Sequence, residues 1–187
     1  ETAEVARRYG AEVVYESKRG YGQACLRGLL AIKDPDIVVF MDADYSDYPE
    51  ELIELCRPIS NDLADLVIGS RVSGKAAPGA LLPQARFGNW LAVFLIKRLF
   101  GVEFSDLGPF RAIRYGCLKK LNMSDTDFGW TVEMQVKAAS RNMRCVEIPV
   151  RYRKRIGSSK ITGTLSGSLR AGSKILLTIF KYYHFRY

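Results

Sequence analysis

At residues 37–44 the chain reads IVVFMDAD, an apolar run that stops at two aspartates. Five apolar residues, mostly β-branched or aromatic, are typical of a strand buried on both faces of a parallel sheet. Asp42 and Asp44 follow at its carboxyl end, where open α/β sheets place their ligand crevice. Residues two apart in an extended chain point the same way, so both carboxylates are expected to face one side.

The type and spacing of these two acids allow two interpretations. Like charges on one side of a strand repel unless a cation or donors compensate, and a hard divalent ion that holds a phosphate-bearing substrate is bound by such oxygen ligands. Alternatively, the acids lie in a solvated loop before a helix that Pro49-Glu50-Glu51 opens. A motif this short leaves both interpretations open.

Predicted strands and helices alternate on either side of this stretch. Strands are predicted at residues 11–15, 37–40, 64–69, 110–113 and 144–152, and helices at 2–9, 23–32, 49–56, 85–100, 115–121, 129–140 and 164–183. The alternation predicts an α/β fold, a three-layer sandwich with a mainly parallel central sheet. Pro149 interrupts the last strand, which is therefore expected at an edge.

Two loops of this pattern are candidates for ligand contacts. Gly20-Tyr21-Gly22 lies between a predicted strand and a helix, where backbone N–H groups can cradle an anion. A plain tight turn is the alternative explanation of these glycines. Residues 72–83 are rich in Gly, Ala and Pro and are expected to form a mobile loop over a site.

The net charge of +8 is concentrated near the carboxyl terminus, where residues 137–187 carry 12 basic side chains and one acidic one, Glu147. Residues 151–160 hold five cations, one glycine, two serines and no acid, a composition suited to phosphate. Such a field indicates a phosphate-rich ligand, nucleic acid or an anionic membrane, with a solvated basic surface as the alternative.

The last predicted helix is amphipathic and basic, a pattern found in helices that lie in a membrane interface. We therefore predict a domain at residues 1–163 and a separate, interfacial helix at 164–187, with packing on the core as the alternative. No apolar run reaches the roughly 20 residues that span a bilayer. Four widely spaced cysteines indicate free thiols and a reducing compartment.

Several short motifs stand in a specific order over the whole chain: Gly20-Tyr21-Gly22-Gln23-Ala24, Asp42-Ala43-Asp44, Ile68-Gly69-Ser70-Arg71, Asp106-Leu107-Gly108-Pro109-Phe110-Arg111, Gly129 through Glu133, Glu147-Ile148-Pro149-Val150 and Arg155 through Ile161. In this order they resemble the family-2 glycosyltransferases with a GT-A (nucleotide-sugar binding) fold. Among these, the dolichol-phosphate and polyprenyl-phosphate sugar transferases are the most similar.

The resemblance implies inverting transfer of a sugar from a nucleotide-diphosphate donor, with Mg²⁺ or Mn²⁺ as cofactor. It implies that Asp44 binds the metal and that Asp42 faces the metal or the nucleotide. Phosphate binding is implied for Arg71, Arg155, Ser159 and Lys160. The two implied catalytic residues are Asp106 and Glu133, near the acceptor. Alternatively, Asp106 makes a hydrogen bond within its loop, and Glu133 lies on a solvated helix face.

The acceptor stays open at this stage. A polyprenyl phosphate is already an anion and needs no base, whereas a hydroxyl acceptor of a soluble enzyme needs a carboxylate to take its proton. A basic, non-enzymatic nucleic-acid-binding module would leave Asp42 and Asp44 unexplained, so no nucleic-acid partner is expected. We expect a cytoplasmic protein, peripheral to the cytoplasmic face of a membrane if the acceptor is a lipid.

Two departures from the family pattern qualify these expectations. Ser46 stands where the dolichol-phosphate-mannose enzymes usually carry Gln, which leaves a third metal contact open. Those families also begin with a strand, a helix and a second strand that ends in nucleotide-binding acids, and these do not precede Glu1. We therefore expect a GT-A domain truncated at its amino terminus that is weakly active or inactive by itself.

Overall fold

A computed structural model describes residues 2–157 and 165–184. The strands are β1 (Ile37–Phe40), β2 (Leu66–Ala76), β3 (Arg111–Arg114) and β4 (Cys145–Tyr152). The α-helices are α1 (Thr2–Arg8), α2 (Tyr21–Leu29), α3 (Leu52–Ser60), α4 (Pro83–Phe100), α5 (Tyr115–Leu121), α6 (Trp130–Ser140) and α7 (Leu165–His184). A 3₁₀ turn at Pro49–Glu51 leads into α3.

The four strands form one mixed sheet in the order β1-β3-β2-β4. β3 is antiparallel to both β1 and β2, and β4 is parallel to β2. The predicted α/β class is confirmed, but the mainly parallel pairing is corrected to a mixed one. Alternating helices and strands predict parallel neighbours only where each helix crosses the sheet, and β3 instead inserts between β1 and β2 from the 101–110 loop.

This strand order brings three chain segments together at one end of the strands, the end towards which β1 and β2 run. Arg111 at the start of β3 is paired with Phe40 at the end of β1 and with Ile68 in β2. The aspartate loop after β1, the second half of β2 and the loop before β3 therefore meet there. This end of the sheet carries most of the polar residues that the sequence motifs single out.

Helices cover both faces of the sheet. On one face, a core that includes Ile68, Trp130 and Ile179 joins the sheet to α4, α6 and α7. On the other face, Val67 and Ala112 pack with Leu55 of α3. Adjacent strand residues thus enter different cores, as the alternation of side chains along a strand requires. The predicted three-layer arrangement is confirmed.

Two predicted segments differ from the structure. Residues 11–15 form no strand, and the described residues place no neighbouring strand beside them. β2 runs on to Ala76, so the predicted loop at 72–83 is half strand. A register shift after Ser70 lets Lys75 pair with Arg151, and a Cβ at Gly74 would lie 1.9 Å from the carbonyl oxygen of Val150.

The edge position of β4, with its proline, is confirmed. All four cysteines are free and partly buried. Within the described ranges, no helix has the length and apolar character that a bilayer crossing requires. α7 packs against α4 and α6 through its buried Thr178 and Ile179.

Candidate functional site

The loop after β1 concentrates three carboxylates. The Asp42 N–H donates to Asp47 Oδ2 at 3.1 Å, and the Ser46 N–H donates to Asp44 Oδ1 at 3.0 Å. Tyr45 between them adopts a φ of 75°, a left-handed conformation that is costly for an aromatic residue. The loop is therefore held in a specific, strained shape.

The electrostatics of this loop favour an added cation. Burial, followed by the nearby Asp44 charge, raises the pKa of Asp42. Burial also raises the pKa of Asp47 to about 6, although the hydrogen bond from the Asp42 backbone opposes it. In the described part of the chain, Asp47 Oδ1 is buried and accepts no hydrogen bond. These acids thus gather more negative charge than their surroundings neutralise.

The same carboxylates fit a hard divalent ion only if a bound ligand and water complete its coordination shell. Among the residues the structure describes, no group of three or more His, Cys, Asp or Glu side chains is arranged to hold a metal. Mg²⁺ sites at phosphoryl centres commonly use one or two carboxylates and complete the shell with water and substrate phosphates. Asp42 and Asp44 fit a metal shared with a phosphate-bearing ligand, with no built-in protein cage.

A basic segment formed by residues 151–156 covers the aspartate loop. Arg155 forms an ion pair with Asp44, and the Ile156 N–H donates to the Asp44 carbonyl at 2.9 Å. Arg153 stacks on the Tyr45 ring, 3.3 Å from its centroid. Burial would raise the pKa of Asp44, but the Ser46 hydrogen bonds and Arg155 outweigh it and lower that pKa.

The sequence motifs nominated Arg155, Ser159 and Lys160 together for phosphate binding. The structure brings Arg155 to Asp44, so the predicted metal ligand and the predicted phosphate ligand contact each other. Ser159 and Lys160 lie outside the described residues.

Arg71 and Asp106, nominated separately, form one buried ion pair. Arg71 Nε and Nη2 donate to Asp106 Oδ2 and Oδ1 at 2.8 and 2.7 Å, and the Arg71 backbone N–H donates to Oδ2 at 2.8 Å. The two side chains are 16% and 1% exposed. Burial disfavours the charge on Arg71, but Asp106 outweighs this effect and raises the pKa of the guanidinium.

A pocket of about 300 Å³ adjoins this ion pair. Arg71 and Arg86 line it, together with small residues of the segment from Gly74 to Gly79. Lys154 passes close to Gly79, since a Cβ there would lie 3.2 Å from Lys154 Cε. Two cationic side chains, from β2 and α4, therefore line the pocket, and Lys154 lies near Gly79 in its wall.

Glu133, the other predicted catalytic residue, is fully buried, which overturns the alternative of a solvated helix face. Lys137 Nζ lies 2.6 Å from its Oε1, Tyr182 Oη donates at 2.7 Å, and the Asp125 N–H donates to Oε2 at 2.8 Å. Ser124 adds bonds from its N–H and hydroxyl. Burial would raise the pKa of Glu133, but Lys137, Tyr182 and Asp125 outweigh it and lower that pKa.

The glycines at the start of α2 are explained by close packing. A Cβ at Gly22 would lie 2.0 Å from the carbonyl oxygen of Asp125, and one at Gly20 would lie 2.1 Å from that of Thr126. The Gln23 N–H donates to the Thr126 carbonyl at 2.9 Å. Carbonyl oxygens thus occupy the place proposed for an anion, which favours the tight-turn explanation.

Sequence reasoning missed the residues that fix the loop before β3. Asn89 Nδ2 donates to the Ser105 carbonyl at 3.0 Å, and the Leu107 N–H donates to Asn89 Oδ1 at 2.8 Å. Gln135 Nε2 donates to the Asp106 carbonyl at 3.0 Å. Both are polar residues inside strongly apolar or buried helices. That mismatch was the available signal, because buried polar groups need a partner.

Arg111, the last residue of the Asp106–Arg111 motif, is a structural residue that the motif alone does not reveal. It is fully buried, and its guanidinium donates to the carbonyls of Leu107, Gly108 and Thr131. Burial lowers the pKa of Arg111 to about 10. The residue ties the loop before β3 to the start of α6.

Comparisons with known proteins agree with this architecture. The glycosyl transferase family 2 profile matches residues 1–121. An uncharacterized glycosyltransferase of Mycobacterium tuberculosis is 37% identical over 174 residues, which are 91% of this chain and 77% of the relative. A dolichyl-phosphate hexose transferase of Haloferax volcanii is 31% identical over 168 residues, 89% of this chain and 72% of the relative.

Among solved structures, glucosyl-3-phosphoglycerate synthase from Mycobacterium tuberculosis, in complex with Mn²⁺, uridine diphosphate and glucosyl-3-phosphoglycerate, has a similar fold. Its TM-score is 0.69 at 19% identity, and the match covers 97% of this chain. This chain spans 64% of that protein's length. The similarity supports the fold that the sequence motifs predicted.

Proposed function

The chain belongs to glycosyl transferase family 2, and on this premise we propose that its protein transfers a sugar, with inversion, from a nucleotide-diphosphate donor to a polyprenyl phosphate. The donor would bind at the aspartate loop after β1. Asp42 and Asp44 would hold Mg²⁺ or Mn²⁺ together with the donor diphosphate. A divalent ion there supplies charge stabilisation for the departing nucleoside diphosphate.

The proposal for the acceptor rests on the partners of Asp106 and Glu133. A hydroxyl acceptor needs a carboxylate that can take its proton. Both nominated carboxylates are instead buried in ion pairs, with Arg71 and Lys137 respectively, and accept several further hydrogen bonds. A phosphate acceptor needs no base, because its oxygen is already a nucleophilic anion.

The pocket beside Arg71 supports a phosphate that carries an apolar chain. Arg71 and Arg86 are suited to phosphate, which guanidinium groups bind in a bidentate manner. The residue after Arg86 begins an exposed aromatic stripe on α4, in which Phe87, Trp90 and Phe94 are 62%, 57% and 51% exposed. Their rings are 5.8 and 5.9 Å apart, a spacing typical of aromatic contacts.

We extend the proposal to a peripheral position on a membrane, where a polyprenyl phosphate resides. Lys97 and Arg98 follow the aromatic stripe of α4, and Leu177, Phe180 and Lys181 are exposed on α7. Aromatic and basic side chains on adjacent packed helices favour an anionic lipid surface.

The test is sugar transfer by the full-length protein with UDP-glucose or GDP-mannose, Mn²⁺ and undecaprenyl phosphate in vesicles, with 3-phosphoglycerate as the competing soluble acceptor. We expect a lipid-linked product. Asp44→Asn should reduce its formation at least 100-fold, whereas Asp34→Asn, which alters an exposed acid paired with Lys119, should have little effect.

Transfer to 3-phosphoglycerate but not to the lipid would contradict the proposed acceptor while keeping the family chemistry. Lipid transfer that persists after removal of divalent ions and in Asp44→Asn would contradict the role proposed for the aspartate loop.

A further inference from the structure

Three hydrogen bonds join Arg71, in the middle of β2, to Asp106 in the loop before β3. Two guanidinium nitrogens and the backbone N–H of the same arginine all donate to one carboxylate. The Tyr152 ring lies against the guanidinium, whose carbon is 5.1 Å from the ring centroid. Arg71 is thus fixed along one edge by Asp106 and on one face by Tyr152.

Asp106 is itself held from several directions. Its backbone N–H donates to Glu147 Oε1 at 3.1 Å, and its carbonyl accepts from Gln135 Nε2 at 3.0 Å. The Cβ that any other residue would add at Gly108 would lie 2.5 Å from the carbonyl oxygen of Gly69, so the loop packs tightly on β2. These contacts leave the carboxylate little freedom to move.

The partners of the loop extend this rigidity into three other elements. Asn89 reaches it from α4, Glu147 from β4, and the buried Arg111 from β3. Such support is characteristic of residues that present a ligand-binding group in a fixed orientation. A general base, by contrast, needs an oxygen within hydrogen-bond reach of the proton that it takes, and both carboxylate oxygens of Asp106 are bonded to Arg71.

We propose that Asp106 is a positioning residue that aims Arg71 at the acceptor phosphate in the 300 Å³ pocket. This inference rests on the proposed function, because it takes the acceptor to be a phosphate. Asp106 holds two edge nitrogens of the guanidinium and neutralises part of its charge. Arg71 lines the pocket, where Arg86 supplies a second cation.

The experiment measures donor and acceptor binding separately in the full-length protein. Asp106→Asn keeps the shape of the side chain but loses the bidentate charge pairing with Arg71. We expect at least a tenfold higher KM for undecaprenyl phosphate, a similar loss of farnesyl phosphate affinity in calorimetry, and unchanged Mn²⁺-dependent binding of the nucleoside diphosphate. Because the side chain takes up no proton in this role, the pH dependence of kcat should stay as in the wild type.

Arg71→Lys supplies the second variant, and its combination with Asp106→Asn completes a double-mutant cycle. If Asp106 acts through Arg71, the double variant should bind farnesyl phosphate no more weakly than the worse single variant. Additive losses would overturn the proposal. A kcat loss of 1,000-fold or more in Asp106→Asn with unchanged acceptor KM, and with the acidic limb of its pH profile removed, would identify a base and also overturn it.

Failure of the proposed function gives a different result. A wild-type protein that neither uses nor binds prenyl phosphates, but binds inorganic phosphate, would remove the lipid acceptor. The inference would then stand if Asp106→Asn weakened inorganic phosphate binding at least tenfold, and would fall if it did not. Circular dichroism melting of each variant must show a folded protein, and Asp106→Glu replaces Asp106→Asn if it does not.

Discussion

Replacing Glu133 by glutamine removes one charge from a carboxylate that bonds Lys137, Tyr182, Ser124 and Asp125. Glu133 is fully buried and pairs with Lys137, whose side chain is only 9% exposed. Breaking a buried ion pair by removing one partner costs about 3–5 kcal/mol, because the remaining charge is left without compensation. Glutamine keeps the shape and can still accept hydrogen bonds, so we expect a loss near the lower end, about 3 kcal/mol of unfolding free energy.

The effect should depend on pH with a defined sign. The folded-state pKa of Glu133 is lowered, so its contribution to stability is present above the unfolded pKa of about 4.3 and is lost as the pH falls through the lower folded value. The difference in unfolding free energy between wild type and Glu133→Gln should therefore stay constant from pH 7 to about pH 5. Below pH 4 it should shrink.

Urea denaturation followed by circular dichroism at several pH values measures this difference. Glu103→Gln is the matched control, since Glu103 is an exposed glutamate that also pairs with a lysine, Lys97. Surface pairs of this type contribute little. If Glu133→Gln were as stable as the control but abolished sugar transfer, the structural role derived from the contacts would be wrong and a direct part in catalysis would take its place.

Two further predictions address the glycine loop and the aspartate loop. Gly22→Ala should destabilise the protein, because the added Cβ would lie 2.0 Å from the Asp125 carbonyl oxygen. Gly28→Ala in the same helix meets open space and should stabilise the protein by up to about 1 kcal/mol. Thermal melting that ranks the two variants in the reverse order would contradict the packing explanation. Arg155→Gln should increase the Mn²⁺ affinity of the ligand-free protein severalfold, because Arg155 competes with the metal for Asp44. The matched variant Arg151→Gln, which removes a cation paired with Glu51, should leave the Mn²⁺ affinity unchanged. An unchanged Mn²⁺ affinity in Arg155→Gln would show that the ion pair with Asp44 does not form in solution.

The elements of the fold were predictable where local pattern and tertiary structure agree. The apolar run at 37–40, the helix at 115–121 and the edge strand with Pro149 all occur at or near their predicted positions. The strand expected at 11–15 did not form, since a strand requires a neighbour that a local pattern does not reveal. The direction of β3 was equally hidden, because hydrophobic periodicity is the same for parallel and antiparallel pairing.

The sequence motifs nominated residues for the candidate site but did not indicate how these residues pair. Asp42, Asp44, Arg71, Asp106, Glu133 and Arg155 were all identified from sequence motifs, yet no motif indicates which acid meets which base. The paired residues are separated in the sequence by as few as 4 positions, for Glu133 and Lys137, and by as many as 111, for Asp44 and Arg155. Pairing is set by the sheet order and by the long loops, so it depends on the whole fold.

This pairing changes what the acids can do. A carboxylate beside a pocket is a candidate base when its partners are unknown, and Asp106 and Glu133 carry equal weight on that ground. In the structure each carboxylate pairs with a cation, Arg71 or Lys137, and the contacts of Glu133 lower its pKa, which makes proton transfer to Glu133 less favourable. Under the proposed function the nucleophile is one that is already charged, so the contacts of these two acids support the proposed phosphate acceptor more strongly than any single motif does.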